Sequence, residues 1–148
     1  MFPNAKPSEI IALLATVDPV SEAAGTVTTG WVPFADFLKL LAVVQTGVMG
    51  ASATVDAKLQ QAQDSAGTGV KDIAGFAITQ IVKATGDNKQ AFINIGGGAL
   101  DVNGGFSYVR LSITVGVAAS LVSGQIWGSN PRFADASAYN QAGVIQIV

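Results

Sequence analysis

The side chains able to carry chemistry are few. The acids are Glu9, Asp18, Glu22, Asp36, Asp56, Asp64, Asp72, Asp87, Asp101 and Asp135, set against eight Lys and Arg, with no His and no Cys. Thiolate and imidazole metal sites, Cys-His dyads and Ser-His-Asp triads are excluded on those counts, and so is any disulfide. General acid–base work would fall to paired carboxylates. Most of the acids sit in predicted turns or on the polar faces of predicted strands, and no register derivable from the sequence pairs two of them.

Two glycine-rich segments invite a ligand. In Ile95-Gly96-Gly97-Gly98-Ala99-Leu100-Asp101 the glycine spacing matches neither the dinucleotide nor the phosphate-loop pattern, and no βαβ context surrounds it. It reads as a surface loop. Asp101-Val102-Asn103-Gly104-Gly105 opens like a calcium loop, but the next acid is Asp135, too far along to close one. It reads as a turn. The expectation is a non-enzyme with no cofactor and no metal.

Eight basic against ten acidic residues give a net charge of −2 and no footprint for nucleic acid. Charged residues are 12% of 148 and hydrophobic ones 49%, against about 25% charged in an average globular chain. Disorder is excluded by the same figures. So sparse a charge predicts that part of the surface is covered by other protein chains. Arg110 and Arg132 are candidates for intersubunit ion pairs, where they would set register more than energy. Trp31, Phe34, Phe37, Tyr108, Trp127 and Phe133 are expected mainly in the core.

The elements positioning these residues follow a period of two. Ala53, Val55, Ala57 and Leu59 share one face of a strand whose other face carries Thr54, Asp56, Lys58 and Gln60. Val109, Leu111, Ile113 and Val115 oppose Tyr108, Arg110, Ser112 and Thr114 in the same way. Further strands are predicted at 10–17, 26–32, 37–45, 78–83, 90–95 and 121–127. Residues 33–41 and 8–14 admit a short helix as an alternative, the latter with Ser8 as N-cap. Turns are marked by Gly25, Gly47, residues 64–69, 85–88 and 103–105. Many short strands between Gly-rich turns predict one all-β domain over 1–148, an antiparallel, jelly-roll-like β-sandwich. The charge-free stretches 40–55 and 111–131 are strand-forming by their alternation, so no membrane contact is expected, and residues 1–7 lack the form of a signal peptide.

The two ends read as extended arms, 1–7 and 129–148. Phe2, Pro3, Arg132, Phe133, Val144, Ile145, Ile147 and Val148, with Arg110, are the candidate interface residues. The segment 143–148 is uncharged and strongly β-prone, so it predicts pairing with a sheet edge in its own subunit or a neighbour's.

The strings 53–73 and Gly105-Phe106-Ser107-Tyr108-Val109-Arg110-Leu111-Ser112-Ile113-Thr114-Val115-Gly116, with Ser123-Gly124-Gln125-Ile126-Trp127-Gly128 and Pro131-Arg132-Phe133, resemble small virion proteins of tailed bacteriophages. The resemblance covers residues 37–133 and consists of strands and turns. It implies a jelly-roll-like sandwich at the phage head or the head–tail region, made in the host cytoplasm. A capsid decoration (cement) protein is the leading expectation. Its partner would be the major capsid protein or another virion protein, and it would act as a homo-oligomer with a trimer favoured. A head-completion or tail ring subunit is the alternative, and a carbohydrate-binding sandwich the alternative of another class.

Overall fold

The computed structural model describes residues 4–148, so Phe2 and Pro3 lie outside the described residues. Strand accounts for 51% of the chain and helix for 12%. In order, the elements are α1 (Pro7–Ile10), β1 (Ile11–Glu22), β2 (Gly25–Thr28), β3 (Val32–Pro33), β4 (Phe37–Thr46), β5 (Thr54–Ala62), β6 (Lys71–Ala77), β7 (Ile81–Val82), α2 (Lys83–Gly86), β8 (Gln90–Gly96), β9 (Tyr108–Gly116) and β10 (Ser120–Pro131). Three 3-10 turns lie at Gly97–Ala99, Val102–Gly104 and Ala136–Tyr139.

The strands form two antiparallel sheets ordered β1-β10-β4-β8 and β2-β9-β5-β6, with β3 beside β9 and β7 beside β5. Late strands thread between early ones in both sheets: β10 between β1 and β4, and β9 between β2 and β5. That interleaving is the double Greek key of a jelly roll, so the fold class expected from patterning is the one observed.

The core lies between the sheets. Val55, Ala57 and Leu59 of β5 and Val109, Leu111, Ile113 and Val115 of β9 are all at most 2% exposed. They face Leu40, Ala42, Val44, Ile93, Ile95, Val122 and Ile126 of the other sheet, all buried. β10 makes room with two glycines. A Cβ at Gly124 would meet Ile113 and Leu111 at 2.8 Å, and one at Gly128 would meet the Phe37 ring at 2.7 Å.

Several boundaries differ from expectation. Residues 33–41 are not helical, and β4 begins at Phe37, whose buried ring is fixed edge-on by Tyr139 at 5.2 Å. The helix predicted within 8–14 is one turn, capped at Lys6 rather than Ser8. There the Glu9 carboxylate accepts the Lys6 N–H at 2.9 Å and the Lys6 carbonyl accepts the Glu9 N–H at 2.9 Å. The N-terminal arm therefore stops short of Pro7. β6 was not expected, because Gly75, at φ 84°, interrupts its alternation. The boundary at 129 falls inside β10, and the following chain packs back through Ala136, which is fully buried, and Tyr139. Among the described residues no helix is long and apolar enough to cross a membrane.

Candidate interaction surfaces

The outward faces of the two sheets carry different chemistry. On β9, β5 and β6 the outward side chains form a polar chain. The Arg110 guanidinium stacks over the Trp31 ring at 4.5 Å, and its Nε–H donates to Gln60 Oε1 at 2.9 Å. Gln60 Nε2 donates to Asp72 Oδ1 at 2.8 Å, and Lys58 Nζ pairs with Asp72 Oδ2 at 2.7 Å. Hydrogen bonds from Lys58 and then Gln60 hold the Asp72 carboxyl below its ordinary value. Nearby, Lys71 reaches both Asp101, at 2.6 Å, and the face of Phe106, at 4.1 Å. Arg110, expected at an interface, is thus engaged within its own subunit.

The other sheet presents the opposite. Register places Leu13, Trp127, Leu41 and Asn94 in one row across β1, β10, β4 and β8. The next row is Thr16, Gln125, Val43 and Phe92. Phe92 is 64% exposed, and Leu121, further along β10, is 46% exposed. Trp127 is half-buried, its Nε1–H turned onto Gln125 Oε1 at 2.9 Å. The charges on this face are Lys39 at one end and Asp18, which accepts from Thr16 Oγ1 at 2.9 Å, at the other. Two shallow depressions flank Trp127. One, of about 340 Å³, is lined by Ile11, Leu41, Val43 and Asn94, and the other, of about 350 Å³, by Ile11, Leu13, Val144 and Ile147.

The last segment reaches this face from the β1 edge. Asn140 Oδ1 accepts the Leu13 N–H, and the Gln141 N–H donates to the Leu13 carbonyl, both at 2.8 Å. Beyond Gln141 no strand forms, so the segment 143–148 does not pair with its own sheet as one reading expected. A single residue, Leu13, takes both bonds, and the bulge between Leu13 and Ala15 breaks the edge there. Val144 and Ile147 line the depression beside Trp127, whereas Ile145 is 95% exposed and Val148 wholly exposed. Arg132 donates from Nε to the Phe37 carbonyl at 3.2 Å, and Phe133 beside it is 76% exposed.

Of the candidate interface residues, only Val144 and Ile147 are brought together with the apolar face; Trp127, expected in the core, stands half-buried on that face, and Phe133, also expected in the core, is exposed. Leu13, Leu41, Val43 and Phe92 were missed as surface residues. A signal existed: Leu40-Leu41-Ala42-Val43-Val44 is apolar at both parities, the pattern of a strand covered on both sides.

Among the described residues the acids fall into no catalytic pair. One depression, of about 720 Å³, holds two acids, Glu9 and Asp135, and the Glu9 carboxylate is spent on the α1 cap. Among the described residues no three His, Cys, Asp or Glu side chains cluster to hold a metal. Residues 97–99 form a 3-10 turn rather than a phosphate cradle, and Asp101 Oδ1 accepts the Gly104 N–H to close the next turn.

No protein-family model matches this chain, and no curated protein matches it. Solved structures similar to it include one of infectious bursal disease virus, Gt strain, at 12% identity, with 85% of this chain and 33% of that chain covered and a TM-score of 0.43. A Triatoma virus structure covers 90% and 70% at 7% identity and TM-score 0.47. A structure described as CBM4 covers 84% and 70% at 12% identity and TM-score 0.40. The chain spans about a third of the length of the first. Viral capsid proteins and carbohydrate-binding modules both stand among these neighbours, so function has to be argued from the chain's own surface.

Proposed function

We propose that this chain is a non-enzymatic structural subunit of a tailed-phage particle, a decoration protein that binds the outside of the head as a homo-oligomer, with a trimer favoured. The observation that carries the reading is the outward face of β1, β10, β4 and β8, where Leu13, Leu41, Val43, Trp127 and Phe92 form an apolar surface with a charge only near each end. Apolar faces of this kind mark protein contacts. Burying one contributes roughly 25 cal/mol per Å². A subunit that binds the assembled shell and not its dissociated parts stabilises the shell by mass action. The resemblance of residues 37–133 to phage virion proteins supports the same place of action.

The test is to add the purified chain to heads that lack it and count bound copies by cryo-electron microscopy. Copies spread over the whole lattice are expected, and a single ring at the portal vertex would replace decoration by a head-completion role. Leu41→Asp, pointing outward, should leave the sheet intact and abolish occupancy. Undiminished occupancy would overturn the reading.

A sugar-binding reading has one observation of its own. Trp127 and Phe92 lie on the same face, two strands and two residues apart, which puts them about 12 Å from one another. The amides of Gln125 and Asn94 lie between and beside them. Tryptophan fluorescence titrated with host polysaccharides tests it, and a flat response to all of them removes it.

A further inference from the structure

An open sheet edge is a template for another strand, and natural proteins blunt such edges with charges, prolines, bulges or shortness. Three of the four edges here are blunted. β1 has two register breaks, Asp18 and Pro19, and is bonded at Leu13 by residues 140–141. β2 is four residues long. β6 carries Lys71, Asp72 and the Gly75 irregularity.

The fourth edge, β8, has none of these devices. Its sequence Gln90-Ala91-Phe92-Ile93-Asn94-Ile95-Gly96 holds no charge and no proline. It pairs with β4 through seven consecutive residues without a bulge. Among the described residues no strand lies on its other side.

The same chain supplies a β-prone segment that forms no strand within its own sheets. Residues 143–148, Gly-Val-Ile-Gln-Ile-Val, are uncharged and β-prone. They leave the β1 edge at Gln141, whose N–H is bonded on one side to Leu13. Extended, six residues span about 20 Å, close to the length of seven-residue β8.

We propose that residues 142–148 of one copy add as a strand to the open edge of β8 in another copy. β1 and β8 are the opposite edges of one sheet. A contact that joins one edge to the other is heterologous, and repeated around an axis it closes a ring. The sheet of one subunit would then continue through the donated strand into the next. This rests on the homo-oligomeric part of the reading above and names the segments that make it.

The chain contains no Cys, so engineered thiols report without background. One batch carries Ile145→Cys or Gln146→Cys, which sample both faces of the donated strand. A second batch carries Phe92→Cys or Asn94→Cys. After mixing and mild oxidation, at least one combination should give a disulfide between chains from different batches. A control Thr26→Cys on β2 should give none. Deleting 143–148 should reduce the oligomer to monomer, with the far-ultraviolet spectrum of the sandwich unchanged.

Absence of an interchain disulfide in all four combinations would overturn the proposal. So would linkage to the control alone, or an oligomer mass unaffected by the deletion. These readouts use the purified chain, so they are independent of capsid binding. A ring that fails to decorate heads sinks the decoration reading alone, whereas heads decorated by monomers sink the strand exchange together with the homo-oligomer it rests on and leave decoration standing.

Discussion

Val117 sits at φ 72° in the turn between β9 and β10, 71% exposed. A β-branched residue in the left-handed region costs roughly 1–2 kcal/mol. Glycine adopts that backbone freely but loses about 0.5–1 kcal/mol more chain entropy on folding. Val117→Gly should therefore raise the melting temperature by about 1–3 °C, and a fall in a thermal melt would contradict the strain. The carboxylates make a second case. Asp72, Asp87 and Asp101 are held below the ordinary 3.8, first of all by hydrogen bonds from Lys58, Lys83 and Lys71 respectively, and Asp64 by Thr68. Each folded value is depressed, so the stabilisation is present above the unfolded value and is lost as pH falls through the folded one. With no His to titrate near neutrality, the denaturant midpoint should be flat from about pH 5 to 8 and decline only below about pH 4. Asp72→Asn should soften that acid decline, and a midpoint that moved near neutral pH would refute the assignment.

At the scale of the element, β10 shows what a strand's glycines are for. Gly124 and Gly128 fall on its inward face, in step with Val122 and Ile126, and their missing side chains admit Leu111, Ile113 and the Phe37 ring. A methyl at Gly128 would lie 2.7–2.8 Å from three carbons of that ring. Gly128→Ala should cost about 1–3 kcal/mol by overpacking, read as a lower denaturant midpoint with an unchanged slope. A neutral result would mean that Phe37 can move despite Tyr139. These glycines also mark the limit of what patterning reveals. The inward sides of β5 and β9 were legible because one face is apolar and the other polar. A glycine carries no such contrast, so the pattern of β10 could not assign Gly124 and Gly128 to the inward face. β6 was illegible because Gly75 breaks its period. The 3-10 turn at 136–139 was illegible because one alanine and one tyrosine do not make a pattern, although Ala136 and Tyr139 anchor the whole segment after β10.

For the whole molecule, the low charge is a matter of distribution as much as of amount. The outward side of β9, β5 and β6 carries Asp56, Lys58, Asp72 and Arg110, whereas that of β1, β10, β4 and β8 carries Lys39 and Asp18 near its two ends. The two sides predict opposite responses to salt. Contacts through exposed charges weaken as the screening length shortens from about 30 Å at 0.01 M to about 3 Å at 1 M. Contacts through apolar surface do not weaken, and they strengthen with excluded salts such as sulfate. Binding to heads through the apolar face should therefore hold from low salt to 1 M sodium chloride and tighten in sodium sulfate. In parallel, Lys58→Gln, on the charged side, should change affinity by less than about fivefold, because an exposed ion pair contributes about 0–1 kcal/mol. Val43→Asp should cut affinity by more than about tenfold, because a lone carboxylate buried in that contact costs well above 1.4 kcal/mol. Sedimentation of heads with labelled chain measures all three. Binding that collapses at 1 M salt and tolerates Val43→Asp would assign the contact to the polar sheet and leave the apolar one to some other partner.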